Sequence, residues 1–231
     1  MIATGDFATI FGGLDAGQSR YLAPETRRTR RNILERFRTE HGDKRIALLQ
    51  RTHIEKMVIA KAATPAAARN FINAIRSLLQ FAVSAGIRPD NPAIGVRRVK
   101  IKTDGYPTWT EDDIAAFEAR FPVGTRARLA LGLLLYTGQR RSDVEQMGRQ
   151  HIRDGILHVR QQKTGAALAI PVHPALQGIL DASPSEHLPF LTTQGGSPFT
   201  GFTNWFRKIC DEAGLPKGTS AHGLRKAACR R

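Results

Sequence analysis

The feature that most constrains the fold is a break in helical periodicity over residues 87–107. This stretch, IRPDNPAIGVRRVKIKTDGYP, is rich in proline, glycine and basic residues, and its apolar side chains do not recur at helical spacing. The break predicts two domains, residues 18–95 and 107–231, joined by a basic linker over 96–106 and preceded by an extension over 1–17. A chain of 231 residues is long enough to form two cores.

The N-terminal domain is predicted to be a small helical bundle. One helix begins near Pro24, because proline suits a first turn, and ends at Gly42. A second helix begins at Thr52, where Glu55 three residues later completes a capping-box pattern. A third helix covers about 64–85 and has apolar residues at helical spacing.

The second domain is predicted to be mainly helical with a small antiparallel β element, so the fold class is mainly α with an α+β second half. The apolar run before Gly138 predicts a buried helix over about 125–137. Thr110 and the acidic residues after it predict the start of another helix, and Ser142 with Glu145 predicts a capping box for a short one. The other predicted elements are a tight turn at Asp154-Gly155, strands over 156–160 and 167–170, and helices over 174–181, 200–213 and from 220 onward.

The charge of the chain points to a polyanionic partner. Basic side chains outnumber acidic ones by 35 to 20, for a formal net charge of +15. The excess is uneven, since residues 1–103 carry a net +11 and residues 104–231 a net +4. A polyanion is the simplest partner for such a chain, because most of the excess is arginine, whose planar guanidinium suits phosphate. Solvated arginine faces are the alternative interpretation.

We predict DNA-backbone contacts from cationic side chains of the linker and of the helical domain: Arg97, Arg98, Lys100, Lys102, Arg27, Arg28 and Arg76. The linker cations could form a flexible strap along the DNA backbone. An ordinary solvated linker explains them equally well.

Other function classes are disfavoured. The two cysteines, Cys210 and Cys229, have neither the number nor the spacing of a disulfide framework or a zinc site, and they fit a reducing cytoplasm. The longest apolar run, Leu129–Tyr136, is far too short to span a bilayer, and the first residues lack the pattern of a signal peptide. We therefore expect a cytoplasmic protein with no membrane span, metal, cofactor or small-molecule substrate.

Three short segments carry side chains that suit phosphate chemistry. The segment TGQRRSD, residues 137–143, places Arg140 between two helices and near a helix N-terminus, which favours an anion, and Asp143 could orient its guanidinium. The segment QKTG places Lys163 at a hairpin tip, from which its ammonium could protonate an alkoxide leaving group. The segment HGLR puts His222 and Arg225 on one face of a helix capped by Ser220. Taken singly, each of these segments is also explained as an ordinary solvent-exposed part of the surface.

The order of the three segments is more specific than any one of them. Together with IPV after the hairpin and NWF on the penultimate helix, it resembles the catalytic domain of the tyrosine recombinases, the phage integrase family. The resemblance covers roughly residues 107–231, and residues 18–95 look like that family's helical core-binding (SAM-like) DNA-binding domain. It implies a double-stranded DNA substrate and, for the full-length protein, a homo-tetramer on DNA.

The resemblance also implies roles for individual residues. Arg140 and Arg225 would hold the non-bridging oxygens of the scissile phosphate, which stabilises the charge of a five-coordinate phosphorus without a metal. Lys163 would protonate the 5′-oxygen leaving group, and His222 would assist proton transfer or bind the phosphate. Asp143 would support the arginine site.

The family's tyrosine nucleophile, which forms a 3′-phosphotyrosyl bond, follows these motifs at a distance that the 231 residues do not reach. The three tyrosines, Tyr21, Tyr106 and Tyr136, lie elsewhere in the sequence. We therefore expect residues 107–231 to be an incomplete catalytic domain that binds DNA without completing cleavage. The alternatives are a non-catalytic remnant of a prophage integrase, a type IB topoisomerase-like enzyme, and a basic helical regulator whose motif matches are accidental. The nucleotide sequence after codon 231 would separate the first of these from a truncated gene.

Overall fold

The computed structural model describes residues 22–97, 105–183, 187–193, 199 and 201–230. The chain divides into two compact units, residues 1–103 and 104–231, and the division falls within the segment predicted as the linker. The predicted DNA contacts Arg98, Lys100 and Lys102 lie outside the described residues.

The first unit is a helical bundle, as the apolar spacing predicts. Its helices are α1 (Pro24–His41), α2 (Arg51–Ile59) and α3 (Pro65–Ser84), and a short 3-10 turn, Ile46–Leu48, lies between α1 and α2. The core forms where the apolar face of α3 meets α1 and α2. Phe71, Ile75 and Leu78 of α3 and Leu34 and Phe37 of α1 are all buried there.

The capping box predicted for the second helix is wrong. Helix α2 begins at Arg51, so Thr52 lies inside it rather than at its cap. The backbone N–H of Gln50 donates to Nδ1 of His53 at 3.3 Å. Glu55 instead accepts a hydrogen bond from Nε of Arg51 at 2.7 Å.

Residues 87–96, which have no helical period in the sequence, pack onto the bundle as part of the first unit. The Arg88 guanidinium is buried and donates to the carbonyl oxygens of Ile46 and Leu49 at 2.8 and 3.2 Å. Ala93 and Val96 are buried too. A stretch without helical period can thus be fixed by side-chain donors that satisfy backbone carbonyls.

The second unit combines six helices with one sheet among the residues described. Its elements are α4 (Glu111–Arg120), α5 (Arg126–Thr137), α6 (Arg141–Val144), β1 (Ile152–Arg153), β2 (Ile156–Arg160), β3 (Ala167–Pro171), α7 (Pro174–Asp181), α8 (Phe202–Glu212) and α9 (Ala221–Ala228). The sheet is antiparallel in the order β1-β2-β3. Asp154 and Gly155 make the tight β1–β2 turn with φ of 50° and 71°. Strand β1 is an addition to the predicted hairpin, and the mainly α fold class is confirmed.

Helix α5 is the centre of this unit. It is buried nearly all round, as its composition predicts, and it packs against α7 and α9. The predicted cap at Thr110 is confirmed, because its hydroxyl accepts from the backbone N–H of Asp113 at 3.1 Å. No helix in the described parts of the chain has both the length and the apolar character to cross a membrane.

The second predicted capping box, Ser142 with Glu145, is wrong. Helix α6 begins at Arg141, and Arg140 takes the N-cap position with extended backbone. Glu145 instead accepts from Nη1 of Arg141 at 2.8 Å. At this position the side chain of Arg140 is free of the helix and its Nη1 donates to Oε1 of Gln161 in the hairpin.

Candidate phosphate-binding site

The junction between α5 and α6 positions two of the predicted arginines. Arg140 lies in the junction, and Arg225 of α9 is hydrogen-bonded to the junction. Helix α5 ends at Gly138, whose φ of 60° is a left-handed conformation that glycine adopts without strain. The carbonyl oxygen of Gly138 accepts a hydrogen bond from Nε of Arg225 at 2.7 Å. Arg140 follows two residues after this glycine, so one backbone turn positions guanidinium groups from motifs far apart in sequence.

The guanidinium of Arg140 is held by a side-chain amide. Oε1 of Gln161 accepts from Nη1 of Arg140 at 3.1 Å and from the Thr164 hydroxyl at 2.7 Å. Nε2 of Gln161 donates to Oε1 of the buried Gln139 at 2.7 Å. Sequence reasoning missed both glutamines. The only available signal was their position beside the motif residues Arg140 and Lys163.

Asp143 acts on the hairpin and not on the arginine. Its side chain is 2% exposed, and Oδ1 accepts from the backbone N–H of Gln162 at 2.9 Å. The prediction that Asp143 orients the Arg140 guanidinium is therefore wrong about its partner. The carboxylate fixes the backbone immediately before Lys163.

Lys163 lies at the tip of the β2–β3 hairpin with an exposed side chain. The backbone N–H groups of Gln161 and Gly165 close the turn, donating to Ala166 and Gln161 at 2.8 Å each. The Gln162 side chain also donates to the carbonyl of Ser142 at 3.3 Å. The turn is therefore anchored on α6, and any movement of the ammonium group toward a ligand comes mainly from the side chain.

His222 stands on the first turn of α9, where several contacts fix the helix start. Nε1 of Trp109 donates to the carbonyl of Ser220 at 3.0 Å. A Cβ at Gly223 would collide with the carbonyl oxygen of Pro107, so only glycine allows this close approach. The ring of Tyr106 meets the imidazole edge-on, with 5.0 Å between centroids. The structure thus places next to His222 a tyrosine that the sequence assigned to the linker.

The electrostatics of His222 indicate that the motif residues share one neighbourhood. His222 is exposed as a residue, yet partial burial of its imidazole lowers the pKa below the usual value, and four positive charges lower it further: Arg225, Arg140, Arg141 and Lys163. Charges act on a pKa in this way only at short range. The structure therefore places three of the predicted residues, Arg140, Lys163 and Arg225, within electrostatic range of His222, and Arg141 as well.

The predicted DNA-contact residues of the first unit differ in orientation. Arg27, Arg28 and Arg97 are exposed. Arg76 points inward, because Nε donates to the carbonyl of Ala93 at 2.9 Å and Nη2 to that of Val96 at 2.6 Å. This geometry gives Arg76 a structural role, and DNA contact by all these residues stays a prediction. Within the described ranges, no group of three or more His, Cys, Asp or Glu side chains could hold a metal ion.

Comparison with known proteins shows the family to which the second unit is similar. Residues 110–231 match the model of the phage integrase family. The integrase of Escherichia phage HK022 is 27% identical over 150 residues, which cover 65% of this chain and 40% of that protein. The integrase of Enterobacteria phage 434 is 32% identical over 90 residues, which cover 39% of this chain and 25% of that protein. The chain thus spans two fifths or less of the length of these relatives.

Solved structures share the fold. A lambda integrase dimer bound to a COC′ core site superposes with a TM-score of 0.84 at 20% identity, over 98% of this chain and 89% of that one. The Tn1549 transposon integrase in complex with circular intermediate DNA gives a TM-score of 0.73 at 15% identity, over 97% and 85% of the two chains. The family match over the second unit overturns the interpretation in which the three motifs are accidental.

Proposed function

The chain belongs to the phage integrase family, and from that premise we propose that it binds double-stranded DNA as part of a site-specific recombinase that cleaves and rejoins strands. In this proposal residues 107–231 hold the scissile phosphate, residues 18–95 bind DNA beside it, and residues 96–106 connect them. The full-length protein would act as a homo-tetramer on DNA in the cytoplasm.

The observation that carries the proposal is the hydrogen bond from Nε of Arg225 to the carbonyl of Gly138, two residues before Arg140. It commits one N–H of Arg225 to the protein, and among the described residues the outer N–H groups have no partner, so they can serve a ligand. Arg140 likewise commits Nη1 to Gln161. Two guanidinium groups held in this way can donate to the non-bridging oxygens of a phosphodiester and stabilise the charge of a five-coordinate phosphorus.

Proton transfer is assigned to the two remaining residues of the set, Lys163 and His222. Lys163 would donate a proton to the departing 5′-oxygen, with Asp143 fixing the backbone that carries it. His222 would bind the phosphate or move a proton, since burial and four neighbouring cations favour its neutral form. No metal is required for this chemistry.

The tyrosines limit what residues 1–231 do by themselves. Tyr136 stacks on His173 with ring centroids 4.7 Å apart, and Tyr106 lies against His222. Tyr21 is outside the described residues. We propose that this chain holds a phosphate without attacking it, so a nicked suicide duplex should yield no covalent adduct. An adduct would overturn this part of the proposal, and its loss in Tyr106→Phe would identify the nucleophile.

Phosphate holding is tested on a duplex that the wild-type chain selects from a random-sequence pool. Each phosphate of one strand is replaced in turn by a neutral methylphosphonate, and binding is measured for wild type, Arg140→Ala and Arg225→Ala. We expect each variant to bind roughly tenfold more weakly, as for a lost hydrogen bond to a charged group. Both should become insensitive to neutralisation of the same phosphate.

Lys208→Ala is the matched control, because Lys208 is an exposed cation of the same unit that lies 3.9 Å from Glu212. It should keep the wild-type profile. If Arg140→Ala and Arg225→Ala retain full affinity, or lose sensitivity at unrelated phosphates, the two arginines do not share a phosphate and the proposal fails.

A further inference from the structure

A second cleft opens beside His222 on the surface of the second unit. Its volume is about 280 Å³, and its floor is formed by Phe202 and Phe206 of α8. Its polar walls come from α8, from the turn before α9 and from Tyr106. Two motif residues, Arg141 and His222, line this cleft, but its residues on α8 and Tyr106 belong to none of the three motifs.

Arg207 is the cation that this cleft offers to a ligand. It is exposed on α8, and it makes no hydrogen bond or ion pair with any residue the structure describes. Thr203 precedes it by four residues, so the hydroxyl and the guanidinium lie on the same face of the helix one turn apart. A guanidinium and a hydroxyl converging on an open cleft are donors that suit a phosphate.

Arg141 lies both in the lining of the cleft and among the cations near His222. It lines the cleft, and its charge acts on His222 together with those of Arg140 and Arg225. Because its Nη1 donates to Glu145 at 2.8 Å, its charge is partly compensated. Arg207 has no such compensation in the described chain, so it dominates the attraction of an anion into the cleft.

We propose that Arg207 and Thr203 bind the DNA phosphate immediately next to the one held by Arg140 and Arg225. The cleft and the phosphate-binding site meet at His222. Successive phosphates of one strand rise by only ~3.4 Å along the duplex axis, and the two sites share His222, so we assign to this cleft the phosphate next to the one at Arg140 and Arg225. Two adjacent phosphate contacts would fix the direction of the strand, which one contact cannot do. This inference rests on the proposed function.

The experiment extends the methylphosphonate scan to Arg207→Ala and Thr203→Val on the same selected duplex, with Lys208→Ala as control. Lys208 is the next residue on α8, so the control removes one positive charge from the same helix outside the cleft. We expect Arg207→Ala to bind roughly tenfold more weakly, as for loss of a charged hydrogen bond, and Thr203→Val a few-fold more weakly. Arg207→Ala should become insensitive at a phosphate directly adjacent to the one that maps to Arg140 and Arg225.

The outcomes separate this inference from the proposal beneath it. If Arg140 and Arg225 map to one phosphate but Arg207 maps to none, or to a distant one, the inference is overturned and the proposed function stands. If Arg140 and Arg225 share no phosphate, the inference and the proposed function are both overturned. A loss equal to that of Lys208→Ala would mean that Arg207 adds only diffuse charge, which also overturns the inference. Arg207→Lys should restore part of the affinity, since the charge returns without the planar donor pair.

Discussion

Arginines of the two units differ in how many of their guanidinium nitrogens are bound by the protein. In the first unit Arg88 is buried, and every nitrogen of its guanidinium donates to Ile46, Leu49 or Asp90. Other arginines of the same unit, such as Arg27 on α1, are exposed to solvent. In the second unit Arg140 and Arg225 lie between these extremes, since each is half-buried and commits one nitrogen to the protein.

The difference shows why net charge alone does not locate a phosphate site. The first half of the chain carries +11 and the second only +4, yet Arg140 and Arg225, the candidate phosphate ligands, are in the second. A fully committed arginine stabilises the fold, and a free one attracts any polyanion. An arginine held by one bond is already oriented, so it loses less conformational entropy when it binds an oxyanion.

The largest effect should come from removing a fully committed arginine. Arg88→Met leaves the carbonyls of Ile46 and Leu49 without this donor, which should lower the free energy of unfolding of the first unit by about 2 to 4 kcal/mol. Both tryptophans, Trp109 and Trp205, belong to the second unit. In a urea titration the circular dichroism transition should therefore shift while the tryptophan fluorescence transition stays.

Arg27→Ala is the control for that experiment, because its side chain is exposed. It should change the stability of the first unit by no more than about 0.5 kcal/mol. Equal losses in the two variants would mean that burial of the guanidinium does not distinguish them.

An arginine with only one nitrogen bound to the protein, such as Arg225, should contribute more to DNA binding than to the stability of the fold. Arg225→Lys keeps the charge but cannot donate to Gly138 and to two phosphate oxygens in the same planar geometry. We expect roughly tenfold weaker binding to the selected duplex and little change in the fluorescence-detected unfolding of the second unit. Arg97→Lys, at an exposed position, should bind like wild type.

Arg140 and Arg225 can be predicted from the sequence because they belong to short, recognisable motifs. The order of Arg140, Lys163 and the HGLR segment is readable without coordinates, and so are the helix ends at Gly138 and Thr110. These signals are local, because a left-handed glycine or a threonine cap acts within one turn of a helix.

The supporting contacts escape sequence reasoning because they join distant residues. Gln139 and Gln161 carry no charge and lie 22 positions apart, so nothing local marks them as a pair. Asp143 stands three residues from Arg140, which suggested a partner on the same helix, yet its carboxylate is used across the fold by Gln162. Tyr106 contacts His222 across 116 positions, in a segment whose composition indicated a linker.

The solvated arginines should have a diffuse effect on affinity. Replacing both Arg27 and Arg28 by Gln should weaken binding a few-fold, because each contributes counterion release and no fixed geometry. The slope of log affinity against log salt should become less negative by about 0.9 for each phosphate contact that is lost. Binding to selected and to random duplexes should weaken alike. A change confined to the selected duplex would mean that these arginines read sequence.

The smallest expected effect is the pH dependence of stability and of DNA affinity, which reports how closely the cations surround His222. In the free protein its pKa is lowered by burial and by the surrounding cations, so protonation favours the unfolded state, and stability should fall as the pH drops below the ordinary histidine value of about 6.5. A phosphate bound among those cations would raise this pKa, so DNA binding would take up a proton. Affinity for the selected duplex should then increase a few-fold as the pH falls through that value.

His222→Gln should flatten this pH dependence while the salt slope stays near that of wild type. Nuclear magnetic resonance of the imidazole C–H signals, with His222→Gln for assignment, measures the pKa directly with and without the duplex. A pKa that does not rise on binding would place the phosphate away from His222. The held cations would then form a structural cluster rather than a phosphate site, and the contrast with the fully committed Arg88 would disappear.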